Sequence, residues 1–182
     1  IEGKISSLLI KKFEGNHVKI NWIGGEDQSS LVLGNGRPFF AKILNPKKRN
    51  RILRKSSNLE GISLSELRKI LVQPKGSIPF KSKVSIIVDT KKPIMLTHLK
   101  KLDILENVKI NLPSKDKKNL NKQIYQIRYK KLAKTSFCLD LLADGGIPIK
   151  FFIQNSDMTP NVSELLQNSC HCRKIDFKNI IV

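Results

Sequence analysis

No stretch of this chain stays apolar for more than a few residues, and its apolar bursts are cut by glycine, proline, asparagine and charged turns. A helix that spans a bilayer needs about 20 apolar residues in a row, so none is encoded. Short bursts cut by turns build short strands instead. The burst Val84-Ser85-Ile86-Ile87-Val88 is the most constraining of them. Its β-branched bias and near-continuous apolarity predict a buried central strand.

Other segments arrange themselves around that strand. Ile5, Leu8 and Ile10 sit among Lys4, Ser6, Lys11 and Lys12, while Val18, Ile20 and Trp22 alternate with Lys19 and Asn21. Both patterns predict half-buried strands, joined by a turn at Glu14-Gly15-Asn16. Leu31-Val32-Leu33 predicts a short strand, Gly34-Asn35-Gly36 a turn that needs positive φ, and 39–44 a strand ended by Asn45-Pro46. Ser63 and Glu66 predict a capped helix over 65–72. Beyond the central strand come a short helix over 93–102, a strand over 108–112 and a polar loop over 113–121. Residues 125–142 read as two strands or one long bent one. Asp144-Gly145-Gly146 turns into a helix over 148–154, with Pro148 in its first turn. Thr159-Pro160-Asn161 introduces a helix over 162–167, and 170–182 closes as a strand with Ile175, Phe177 and Ile180 inward. Strands outnumber helices and follow one another in sequence. The expected class is α+β, with a mixed, mainly antiparallel sheet and flanking helices. There is no internal repeat. Residues 1–182 read as one domain, with 61–79 as a linker inside it.

Charge narrows the function. The 182 residues are 40% hydrophobic, as a folded domain requires, yet hold 34 Lys and Arg against 15 Asp and Glu, a formal net charge of +19. Such a charge repels itself, so a polyanionic partner is expected. The cations gather at Lys47, Lys48, Arg49, Arg51, Arg54 and Lys55, and again from Lys115 to Lys134, including Arg128, Lys130 and Lys131. Neutralising six to ten phosphates would make binding fall by about 10³–10⁵ between 50 and 200 mM salt. Outside Cys170-His171-Cys172 no nucleophilic Ser or Cys stands near a His, which argues against a hydrolase triad, and no P-loop pattern occurs. Cys138, Cys170 and Cys172 read as reduced thiols of a cytoplasmic protein. Cys170-His171-Cys172 is too tightly spaced for structural zinc, so no metal is expected. There is no signal peptide pattern, and a chain that opens on Ile1 reads as a piece of a longer one.

One pair of loops carries a candidate chemistry. Gly24-Gly25-Glu26-Asp27 leads into Leu33-Gly34-Asn35-Gly36-Arg37-Pro38-Phe39, where glycines let the backbone approach a ligand around an acid. This stretch resembles the signature of the archaeal and eukaryotic tRNA pseudouridine synthases that modify the T-loop. Gly145-Gly146-Ile147-Pro148-Ile149-Lys150, Thr159-Pro160-Asn161-Val162-Ser163-Glu164-Leu165-Leu166, and the final strand resemble later parts of that family, with a fainter match at Arg128-Tyr129-Lys130-Lys131.

The resemblance implies the pseudouridine synthase fold around a basic cleft, tRNA as partner, and no metal or organic cofactor; the chain is expected to be a monomer. It places the nucleophilic aspartate at Asp27 and its ion-pair partner at Lys150. A nearby cation keeps such a carboxylate ionised. Arg37, Lys47, Lys48, Arg49, Arg51, Arg128, Lys130 and Lys131 are the expected RNA-binding set. For Arg37, a phosphate contact and a hydrogen bond to the loop of Asp27 are both open. Phe39 and Phe40 read as core, on opposite sides of their strand.

The chain also departs from that pattern. Gly25 stands where the family has Arg, and Pro148 where it has Tyr. The stretch 80–89 lacks the family's stacking Tyr, with Val84 in its place, and Asp157-Met158 stands where relatives have Gly-Arg. The family's N-terminal tRNA-binding part, with its zinc-holding cysteines, is not in these residues. The alternative function is a non-catalytic RNA-binding module or tRNA chaperone on the same fold; a ribosome-associated basic protein is a third reading, from charge alone.

Overall fold

A helix opens the chain where the alternation predicts a strand. The structure is a computed structural model that describes residues 1–25, 30–49, 57–59, 61–72, 74, 76, 78–112, 120–154 and 158–182. Its elements in chain order are α1 (Glu2–Phe13), β1 (His17–Trp22), β2 (Leu31–Val32), β3 (Phe39–Leu44), β4 (Ser57–Leu59), β5 (Ile62–Leu64) and β6 (Lys81–Thr90). They continue with α2 (Leu96–Leu99), a 3₁₀ segment (Lys100–Leu105), β7 (Lys109–Leu112), β8 (Leu120–Ala133), β9 (Ser136–Asp144), α3 (Ile149–Gln154), α4 (Val162–Leu166) and β10 (Cys170–Ile181). The backbone gathers into two units, Ile1–Ile23 with Pro38–Ile78, and Gly24–Arg37 with Pro79–Val182.

In the first unit, α1 follows from a helical spacing that contains the alternating one. Ile1, Ile5, Leu8 and Leu9 recur at three and four residues, and Ile5 and Leu9 are buried one turn apart. Lys11 and Lys12 occupy the last turn, where the helix dipole favours cations. Glu14 ends it in the left-handed region, with its N–H donated to the Ile10 carbonyl. The helix covers one face of the antiparallel ribbon β1–β3, in which Val18 and Ile20 are buried beside Ile43, Trp22 and Phe39. The rings of Trp22 and Phe39 lie 5.3 Å apart at 50°. Phe39 packs on this core as expected, whereas Phe40, half-buried, faces the other way and is no part of it.

Hairpin β4–β5 adds Leu64 to the same core. The helix expected over 65–72 does not form. Glu66 takes a left-handed φ of 54°, and Leu71 and Val72 stay 93% and 78% exposed. Helix stability in proteins comes mostly from a buried apolar face, and here only Leu67 packs on the core while Ile70, Leu71 and Val72 are exposed.

In the second unit, six strands form one sheet in the order β2-β10-β6-β9-β8-β7. Only β2 and β10 run parallel; the other pairs are antiparallel. The burst at 84–88 is the interior strand β6, with Val84, Ile86 and Val88 no more than 1% exposed. They meet Phe137, Leu139 and Leu141 of β9, and helical residues Leu99, Leu102, Phe152, Ile153 and Val162 close over that face. The region 125–142 resolves into the two strands β8 and β9.

The late elements match the expected α3, α4 and closing strand within one or two residues. Two register shifts in β10 explain why its buried residues, Cys170, Cys172, Ile175 and Ile180, leave strict alternation. The three cysteines form no disulfide, and burial pushes the Cys170 thiol up from its ordinary value. Of the loop expected over 113–121, residues 113–119 lie outside the described ones. Among the described residues, no helix is long and apolar enough to cross a membrane.

Candidate active-site loop and nucleic-acid interface

Asp27 and Arg51 lie outside the described residues, but the chain on both sides of Asp27 is placed. From Ser30 the described chain runs into β2, whose Leu31 and Val32 pair with Asp176 and Phe177 of β10. One residue later, Leu33 donates its N–H to the Phe177 carbonyl at 2.8 Å. The turn that follows is the one expected, with φ of 65° at Gly34 and 77° at Gly36. Gly34 also lies against β10: a Cβ there would stand 2.5 Å from the Lys178 carbonyl oxygen, whereas one at Gly36 meets nothing within 4 Å.

That contrast gives a prediction. Both Gly34→Ala and Gly36→Ala carry the left-handed penalty of about 1 kcal/mol. Only Gly34→Ala must also push β10 backbone aside. Its thermal unfolding midpoint falls well below that of Gly36→Ala; equal midpoints would show that the contact with β10 does not constrain the turn.

The carboxylate of Asp176 sits where β2 meets β10. Lys174 Nζ donates to it at 2.8 Å. This hydrogen bond holds the carboxyl below its ordinary range against the opposing effect of burial, with the charge of Lys174, the Leu31 backbone and the charge of Lys178 adding to it. Arg37 follows the turn and is half-buried, and burial pulls its guanidinium below the ordinary value.

Lys150 belongs to the same unit. Gly145 donates its N–H to the Phe80 carbonyl at 2.7 Å, which fixes the turn before α3. Asp144, just ahead, accepts from the Gln123 N–H at 2.9 Å and the Tyr125 hydroxyl at 2.8 Å. Lys81 Nζ stands 3.9 Å from the centre of the Tyr125 ring. In α3, Ile149, Phe152 and Ile153 are buried, while Lys150 is exposed in the first turn beside Phe151, itself 54% exposed. The helix packs on β10. One strand therefore anchors both the return of the Asp27 loop and the helix that carries Lys150.

The expected RNA-binding set is divided between the units. Arg128 and Lys130 are exposed on β8, opposite Asp140 and Cys138 of β9, and Lys131 is exposed opposite Phe137. Lys47, Lys48 and Arg49 are exposed in the first unit, where Lys47 and Lys48 donate backbone N–H groups to Glu14 and Phe13. Lys48 also forms an ion pair with Glu14, so its charge is partly met within the fold.

Neither tyrosine is free to stack on a base, whereas Phe151, beside Lys150, is exposed. Val84 is 1% exposed in the core and offers no surface to a base. Tyr125 is bonded to Asp144, and Tyr129 packs on the core with its hydroxyl pushed up by burial and by Asp103. Sequence reasoning missed the anchoring of both site segments on β10, because strand pairing across more than 140 residues leaves no local trace. Among the described residues, no three His, Cys, Asp or Glu side chains group as metal ligands.

Comparison with known proteins places this arrangement. The family described as "Pus10, C-terminal" matches residues 1–180. A tRNA pseudouridine synthase Pus10 of Nitrosopumilus maritimus is 42% identical over 182 residues, covering all of this chain and 48% of that protein. Its counterpart in Cenarchaeum symbiosum is 32% identical over 182 residues and is covered to 45%. The chain thus spans about half the length of the curated relatives it matches. A chain from the crystal structure of a Cbf5-Nop10-Gar1 complex shares the fold, with a TM-score of 0.58 at 9% identity over 97% of this chain and 44% of that one. The expected α+β, mainly antiparallel pseudouridine synthase architecture holds.

Proposed function

This chain belongs to the Pus10 C-terminal family, and from that premise we propose that it isomerises uridine to pseudouridine in the T-loop of tRNA, at position 55 with 54 as a second target. Asp27 is the nucleophile and Lys150 its ion-pair partner. The observation that carries this reading is the common anchor: β10 holds the return of the Asp27 loop at Leu31–Val32 and packs against α3, which bears Lys150.

The chemistry is internal to the nucleotide. The carboxylate adds to the uracil ring or to the ribose anomeric carbon, and the N1–C1′ glycosidic bond breaks. The uracil turns and C5 bonds to C1′; the bond to the Asp27 oxygen breaks, by displacement at C1′ or by elimination from the ring, and frees the carboxylate, while the C5 proton leaves and N1 gains one. Nothing is oxidised or reduced, so the reaction calls for no redox cofactor. Lys150 keeps the carboxylate charged in a site from which the incoming base excludes water. The target base must first leave its stack, at a few kcal/mol. Contacts from Arg37, Arg128, Lys130, Lys131 and the cations at 47–51 to the RNA backbone offset that.

The test is to incubate the chain with an unmodified tRNA transcript and map pseudouridine by mass spectrometry. Product confined to positions 54 and 55 is expected. A transcript that is bound yet unmodified would favour the non-catalytic RNA-binding module, and product elsewhere in the tRNA would move the target.

A further inference from the structure

We propose that the outward face of the β1–β3 ribbon is a phosphate clamp, in which Lys19 and Lys42 hold the RNA backbone between them. The inference rests on RNA being the substrate and adds a contact surface that the basic runs of the sequence do not include.

In the ribbon, His17 pairs with Leu44, Lys19 with Lys42, and Asn21 with Phe40. Residues directly opposite each other in an antiparallel pair share a face, so these six lie together, away from the core formed with α1. Lys19 and Lys42 are both exposed. Their Cβ atoms are therefore about 4.5–5.5 Å apart, with like charges at the end of each side chain. Like charges directly opposite on a strand pair are destabilising. Neither strand contains an acidic residue, and among the described residues no carboxylate pairs with either lysine.

An acid across from one of these lysines would relieve the repulsion, and neither strand supplies one. An anion bound between them removes the repulsion, and a phosphodiester has two free oxygens to accept from both. The stripe continues beyond the ribbon. Leu44 ends β3, and the chain runs on to Lys47 and Arg49, both exposed, with Lys47 tied back by its N–H to the Glu14 carbonyl. An RNA strand crossing the clamp thus meets further cations at the His17–Leu44 end. The half-buried ring of Phe40 lies at the other end of the same face. The charge pattern identifies a polyanion, and the net charge of +19 agrees with it.

The experiment compares three double variants of the 182-residue chain in binding an unmodified T-arm hairpin as a function of salt. Lys19→Gln/Lys42→Gln is expected to weaken binding roughly tenfold or more near 100 mM salt and to lower the slope of log K against log salt by about two. Its unfolding midpoint should not fall, since a repulsion has been removed. Lys19→Arg/Lys42→Arg should bind like the parent. Lys100→Gln/Lys101→Gln, the same charge loss at two exposed residues of the second unit, should bind much more tightly than the Lys19/Lys42 glutamine pair. Equal losses in the two glutamine pairs, or an unchanged salt slope in the first, would overturn the clamp. Pseudouridine in the parent's product is scored separately: binding data as expected without product would sink the catalytic reading and leave the clamp standing.

Discussion

On the proposed chemistry, Asp27→Asn is expected to make pseudouridine at least about 10³-fold more slowly than the parent chain while binding tRNA as tightly or more so. Removal of a covalent nucleophile has effects of this size or larger. Asparagine keeps the shape of the side chain, so the loop need not rearrange. It also deletes a negative charge, which favours binding of a polyanion to a basic chain. Quantifying product in single-turnover reactions, beside a binding isotherm, separates the two effects. Wild-type rates from Asp27→Asn would remove Asp27 from the chemistry. The partner has its own signature. Without a cation nearby, a carboxylate pKa rises, and Asp27 must be ionised to attack. If Lys150 is that cation, Lys150→Ala is expected to move the acid limb of the pH–rate profile to higher pH, and Lys150→Arg to move it back. An unshifted acid limb in Lys150→Ala would show that Lys150 does not set the charge of Asp27.

The second large effect is structural. Phe152 is fully buried in α3, two residues after Lys150, and packs in the core with β6 and β9 residues. Truncating a buried phenylalanine costs about 3–5 kcal/mol. For a chain of this size that lowers the midpoint of thermal unfolding by roughly 6–20 °C. Phe152→Leu, which keeps most of the volume, should lose much less. Phe152→Ala, assayed below its melting temperature, should also lose turnover, because the turn bearing Lys150 loses the contact that seats it. Similar midpoints for the alanine and leucine variants would show that the core does not hold α3 through this ring.

Local patterns were legible where burial is one-sided and the turn chemistry is strong. The continuous apolarity of 84–88 marked β6, and the glycines of 34–36 marked a left-handed turn. The motif Thr159-Pro160-Asn161 marked α4, where Asn161 accepts from the Glu164 N–H at 2.9 Å. The first helix was not legible. Ile5, Leu8 and Ile10 fit a strand as well as a helix, and only the burial of Ile5 with Leu9 against Val18, Ile20 and Leu64 decides between them. The segment 65–72 failed in the opposite sense. Its residues suit a helix, but Glu66 turns left-handed and no core lies under Leu71 or Val72. Propensity is a weak term beside the burial of an apolar face.

From the order of residues alone come the basic excess, the α+β class and the two motifs that bracket Asp27 and Lys150. Each depends on composition or on neighbours a few positions apart, and such information is local. The tertiary structure alone decided that residues 31–32 and a helix at 149–154 share β10 as their support, and that Lys19 faces Lys42. Pairing register joins residues far apart in the chain, and it is chosen by which faces can be buried together, a quantity that exists only once the strands have met.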